Sequence, residues 1–131
     1  MKAKSSVQVS PFDVEEDTRV AWAAGILEGE GCFSIHTRKD NGRKQLAIHC
    51  EMTDEDVILE LQSVLGVGSV CYRTNDKNRA DNGKRKPSWI LSIQSQQQIF
   101  NTLIRIGPFM KCRRGGKIAE MFEILEERLV V

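Results

Sequence analysis

The chain has 131 residues, 40% of them hydrophobic and 28% charged, which fits one ordinary globular domain and leaves no room for two. Nineteen basic and eighteen acidic residues give a net charge of +1, a total that by itself points to no polyanionic partner. The longest near-apolar run, Val20 to Leu27, is eight residues, far short of the ~20 that a membrane-spanning helix needs.

The first seventeen residues hold no apolar core of signal-peptide length, so they are read as a lead-in and residues 18–131 as a single domain of an intracellular, unsecreted protein. The segment 18–30, TRVAWAAGILEGE, reads as a helix, with Asp17 or Thr18 as its N-cap and Gly31 as its C-terminal cap. Residues 20–27 are apolar or small almost all round, so burial on most sides is expected. Ala21, Gly25 and Gly29 form a stripe of small residues along this helix. Each interior glycine costs roughly 1 kcal/mol relative to alanine, and a close backbone neighbour would compensate. That neighbour is either another helix or the chain's own sheet. Glu28 and Glu30 occupy the last turn, the negative pole of the helix dipole, where cations are favoured. A bound divalent metal such as Mg²⁺ would reverse that penalty, since hard oxygen ligands suit it. Two solvated glutamates are the plainer alternative.

Next comes CFSIHTR, with Phe33 and Ile35 on one face and Ser34, His36 and Arg38 on the other. An Asp-Asn-Gly turn leads to QLAIHCEMT, in which Leu46, Ile48, Cys50 and Met52 oppose Gln45, Ala47, His49 and Glu51. This is a β-hairpin with one apolar and one polar face. Thr53 or Asp54 caps a second helix with Val57, Leu61, Val64 and Leu65 inward and Gly66 as its stop. A second hairpin follows. Val70 and Tyr72 are expected inside, as are Trp89, Leu91 and Ile93 on the returning strand, while Ser69, Cys71, Arg73, Asn75, Ser88, Ile90 and Ser92 face out. A third helix ends at Gly107-Pro108, and a fourth, about 116–129, turns Ile118, Met121, Phe122 and Leu125 to the core. The fold class is α+β: one four-stranded antiparallel sheet with helices on one face, in the order α-ββα-ββα-α.

Charge is unevenly distributed along this plan. Windows 38–44, 73–86 and 111–117 hold 14 of the 19 Lys and Arg and only three acids, or +11 over 28 residues. The other 103 residues carry −10. Each basic window is a loop or a helix boundary, and three of one sign in a small domain argue for a phosphate-rich partner. A polar sheet face flanked by such loops can enter a DNA major groove. Four cysteines without a CxxC pair or a His cluster argue for free thiols in a reducing compartment and against zinc.

The run from Trp22 to Phe33, WAAGILEGEGCF, resembles the signature of the LAGLIDADG homing endonucleases, in which a similar helix ends in acid-Gly-acid-Gly and passes into a strand. Gln45 through Thr53, Leu65-Gly-Val-Gly68 and Pro108-Phe-Met-Lys111 resemble further landmarks of that family in the same order, so the resemblance spans about residues 18–125. It implies an αββαββα fold, site-specific Mg²⁺-dependent hydrolysis of double-stranded DNA at a palindromic or nearly palindromic target, and, with a single motif, a homodimer. Neither a membrane nor a small-molecule substrate is implied. The expected location is the cytoplasm of a bacterium or phage-infected cell, or an organelle. A non-cleaving DNA-binding protein and an intron RNA maturase on the same scaffold are the alternatives, with a generic interaction domain behind them.

The resemblance also assigns residues. Glu30, beside Gly29, would hold the metal. Ala21, Gly25, Glu28 and Gly29 would line the dimer interface. Lys111 and Arg113 would act near the phosphate, and Asp54 stands where some relatives place a water-positioning Gln. Both motif acids are Glu where Asp is commoner, and Val57 and Ile58 occupy positions where a relative has a basic residue. Ser34, His36, Arg38, Gln45, His49, Glu51, Ser69, Arg73 and Ser88 are the expected base readers. Lys39, Arg43, Lys44, Lys77, Arg79, Lys84, Arg85, Lys86 and Lys117 complete the DNA-binding set, the lysines chiefly on phosphates.

Overall fold

A computed structural model describes residues 15–73 and 86–130. Its elements are α1 (Glu16–Glu30), β1 (Gly31–Thr37), β2 (Lys44–Met52), α2 (Glu55–Leu65), β3 (Ser69–Arg73), β4 (Ser88–Ile93), α3 (Gln96–Ile106), a 3-10 turn (Gly107–Phe109) and α4 (Cys112–Leu129). The four strands form one antiparallel sheet in the order β1-β2-β4-β3. Phe33, Leu46, Ile48, Cys50, Leu91 and Ile93 are buried under the helices. From the helices, Leu27, Ile58, Leu61, Ile99, Leu103, Met121 and Leu125 complete the core. This is the expected α+β architecture.

The register keeps the expected faces. Cys32 pairs with His49, Ser34 with Ala47 and His36 with Gln45. His49 pairs with Ser92 and Glu51 with Ile90, and Arg73 with Ser88. Since side chains alternate along a strand, all of these belong to the face away from the helices. The β1–β2 connection is the turn the sequence indicates: Gly42 has φ 70°, and Asn41 accepts the Arg43 N–H at 2.8 Å.

Several expectations need correction. The first helix begins two residues earlier, after Glu15, so neither Asp17 nor Thr18 is its N-cap. Gly31 is the C-cap, as expected, with an extended backbone, and β1 begins there without a loop. A Cβ on Gly31 would lie 2.6 Å from the Leu27 carbonyl oxygen, so the direct helix-to-strand passage requires glycine. On α2, Ile58 is fully buried and Val57 only half-buried. Tyr72 is 54% exposed, on β3, one of the two edge strands of the sheet. Its ring packs on Trp89 instead, centroids 5.0 Å apart. Ser88 is buried, not open to solvent. Phe122 is half-buried and stacks on Phe100. The last helix starts at Cys112, four residues before the expected position. Tertiary bonds to α1 hold that first turn, which includes the glycine pair 115–116. Asn75 lies outside the described residues.

Candidate functional site

At the C-terminus of α1 the two glutamates of the motif diverge. Glu28 accepts the backbone N–H of Lys111 at 3.0 Å, and its own carbonyl accepts Arg114 Nε at 3.1 Å. The start of α4 is therefore fastened to the end of α1. The third basic window becomes an N-terminal helical turn whose positive pole and cations face the negative pole of α1. Lys111 and Arg113 are exposed on this turn. Lys117, further along α4, is exposed and pairs with Glu120 at 3.9 Å.

Glu30 takes a different direction. It is exposed, and among the described residues no hydrogen bond or ion pair engages it. It opens into a groove of about 390 Å³ lined also by Glu51, Met52, Thr53, Asp54, Lys86 and Ser88. The structure thus brings Glu30 and Asp54 into one groove, at the end of the sheet where β1 starts and β2 finishes. Glu51 is anchored within it by Ser88, whose hydroxyl donates to it, and by Arg73 Nη1 at 3.1 Å. That explains the burial of Ser88, which is covered by its own partners on the polar face. Beneath Glu30 the Cys50 thiol is pushed up to about 11 by burial and then by the Glu30 carboxylate, so it stays protonated at neutral pH.

As a metal site the groove offers hard oxygen donors, which suit Mg²⁺. Among the described residues no three acidic, His or Cys side chains of one chain gather closely enough to enclose an ion.

The opposite end of the sheet carries other chemistry. Ser34, His36, Arg43, Lys44, Gln45, Ala47 and His49 line a depression of about 470 Å³, joined by Gln94, Gln96 and Arg128. No Asp or Glu lines it. Lys39, Arg43 and Lys44 are exposed at the turn beyond. Arg38 forks onto Asp40 at 2.9 and 2.6 Å, and the guanidinium holds the Asp40 carboxyl below its usual value. Ser69 is exposed at the edge. Sequence reasoning missed Gln94, Gln96 and Arg128. The outward row Ser88, Ile90, Ser92 was a usable signal, because its next member is Gln94. Lys77, Arg79, Lys84 and Arg85 lie outside the described residues.

The third feature is the outer face of α1. Thr18, Trp22, Gly25 and Gly29 are exposed along it, with Ala21 half-buried at its margin and Val20, Ala23, Ala24 and Leu27 buried behind. A Cβ built on Gly25 or Gly29 meets nothing within 4 Å. The chain's own sheet is thus not the neighbour that these glycines accommodate. Trp22 is 40% exposed beside them.

Comparison with known proteins agrees with this geometry. The LAGLIDADG endonuclease family matches residues 23–111. None of the curated proteins matches the sequence. Among solved structures, the homing endonuclease I-CvuI in complex with its target in the presence of Ca is 18% identical, with a TM-score of 0.65 over 86% of this chain and 68% of that one. The archaeal intron-encoded homing endonuclease I-Vdi141I complexed with DNA is 19% identical, with a TM-score of 0.63 over 88% of this chain and 71% of that one. The LAGLIDADG meganuclease I-AabMI bound to uncleaved DNA is 16% identical, with a TM-score of 0.62, and there the match covers 81% of this chain but 36% of that one.

Proposed function

The chain belongs to the LAGLIDADG endonuclease family and is by that membership a DNA endonuclease; on this premise we propose that it is a site-specific homing endonuclease, acting as a homodimer with Mg²⁺ on a palindromic or nearly palindromic duplex. The observation that carries the reading is the position of Glu30: free of partners among the described residues, in a groove with Asp54, at the end of a helix whose glycine face is open. Pairing two chains through α1 would bring two such ends together, and a twofold protein calls for a twofold target. The partial coverage of I-AabMI supports the same stoichiometry, since that chain is long enough for two units of this fold.

Each residue then has a task. The two Glu30 carboxylates would hold a divalent cation, which when bound would supply phosphate polarisation and an acidified water. Asp54 accepts a hydrogen bond from the attacking water and orients it. Lys111 and Arg113 steady the charge that develops on the phosphate. The polar sheet face lies along the major groove. From Gly31 to Thr37 a strand of seven residues advances about 20 Å at ~3.3 Å per residue. That is roughly six base pairs at ~3.4 Å each. The segregation of charge supports this orientation, with an acidic groove at one end of the sheet and a depression without Asp or Glu at the other to receive bases and backbone.

Selection from a library of randomised palindromic duplexes, followed by cleavage in Mg²⁺ and in EDTA, tests the reading. A double-strand cut at the twofold centre of the selected sequence, lost in EDTA and lost in Glu30→Gln while binding persists, is the expected result. Cutting by Glu30→Gln at the rate of the unaltered protein would defeat the assignment.

A further inference from the structure

We infer that Gln94 is a specificity-determining residue that reads an adenine in each half-site; the inference rests on the DNA-endonuclease reading and extends it to a position outside the strands. Ile48 pairs with Ile93, so the next residue of the chain stands beside Ala47. Alternation continues the outward row Ser88, Ile90, Ser92 to Gln94. Gln94 is exposed and lines the acid-free depression with Ser34 and Ala47. Those two side chains are small, so the amide has room above them.

Several of the polar groups expected to face DNA are otherwise occupied. Arg38 and Arg73 are paired with Asp40 and Glu51, while Arg43 and Lys44 line the same depression as Gln94. Ser88 donates to Glu51, and Arg128 Nη1 donates to Gln96 at 2.6 Å. No hydrogen bond engages the Gln94 side chain among the described residues. A glutamine amide offers one acceptor and two donors in a plane, which matches adenine N6 and N7 in the major groove and no other base edge as well. Without an acid in the depression, approaching phosphates meet no repulsion there.

The test compares the unaltered protein, Gln94→Ala and Gln94→Glu. Each is titrated, with Ca²⁺ in place of Mg²⁺, against the duplex selected by the unaltered protein and all its single-base-pair variants. The unaltered protein should prefer A·T at one position of each half-site by about 5- to 150-fold. Gln94→Ala should level that preference and leave the others alone. Gln94→Glu should move it to C·G, because a carboxylate accepts from cytosine N4. Circular dichroism checks that this exposed position leaves folding intact. If both variants keep the unaltered profile, or if both weaken binding uniformly, the inference is overturned while the endonuclease reading stands. If the unaltered protein enriches no duplex at all, the endonuclease reading fails and this inference with it.

Discussion

Substitution at Gly25 separates the needs of one chain from those of two, with opposite signs. Within one chain a Cβ at Gly25 meets nothing within 4 Å, so Gly25→Ala should stabilise the isolated fold by the helix-propensity difference, about 0.8–1 kcal/mol. Between two closely packed helices the same methyl is overpacking, at ~1–3 kcal/mol per site, and a twofold interface counts it twice. The dimer should then weaken by roughly 2–6 kcal/mol, about 30- to 20,000-fold in dissociation constant; Gly25→Leu should abolish it. Gly31→Ala is the control. Its Cβ collides with the Leu27 carbonyl inside the chain, so it should lower stability at every protein concentration. Sedimentation equilibrium gives the dissociation constants, and thermal melts across a hundredfold concentration range give the monomer term. A Gly25→Leu protein that dimerises like the unaltered one refutes the reasoning, as does an unaltered protein that is monomeric at micromolar concentration.

Other expectations follow from single groups. Glu28→Gln should cost stability, through its bond to the Lys111 N–H, yet cut DNA far better than Glu30→Gln; equal loss of cleavage in single-turnover assays would contradict the division of roles. Replacing Arg43 and Lys44 with Ala should reduce the slope of log affinity against log salt by about 1.8 per subunit, if each neutralises one phosphate; titration at four salt concentrations reads this directly. Cys50 should resist a thiol reagent at pH 8 in the folded protein, while the exposed Cys32, Cys71 and Cys112 react. Its folded value of about 11, against the ordinary thiol value of 9.0, means that the unfolded chain loses the proton first. Stability from this group is therefore complete below pH 9, falls as pH rises, and is lost above about 11, by of order 2–3 kcal/mol. Denaturant titrations at pH 8 and 11 measure the fall, and Cys50→Ala should lack it.

Alternation and caps made most of the fold legible. Leu46, Ile48 and Cys50 against Gln45, Ala47 and His49 give both the strand and its faces, and Gly66 does stop α2 in a left-handed conformation, φ 71°. What the sequence hid was tertiary. Tyr72 has the spacing of a core residue, but alternation does not reveal which strand is the edge. The run KCRRGGK has the composition of a loop, and only the end of α1, 83 residues earlier, makes it a helix. Ser88 has the polarity of a surface residue, and its burial comes from Glu51, 37 residues away. In the site, Glu28 and Glu30 are chemically alike in sequence. Only the structure separates a carboxylate spent on α4 from one left facing the groove.

That separation explains why a helix would end in two acids at the pole that disfavours them. A helix C-terminus carries about half a negative charge, so each carboxylate there raises the local cost unless something positive answers it. For Glu28 the answer lies inside the chain: the N-terminal turn of α4, with its free N–H groups and the Arg114 side chain, meets the end of α1 head-on. The same contact carries Lys111 and Arg113 to this end of the molecule, which a loop of the same composition would leave unanchored. Glu30 makes no hydrogen bond or ion pair among the described residues, although Lys86 lines the same groove. Under the proposed function, cation would be held best when a second Glu30 and a phosphate stand opposite, which would tie metal loading, and hence cutting, to assembly on DNA.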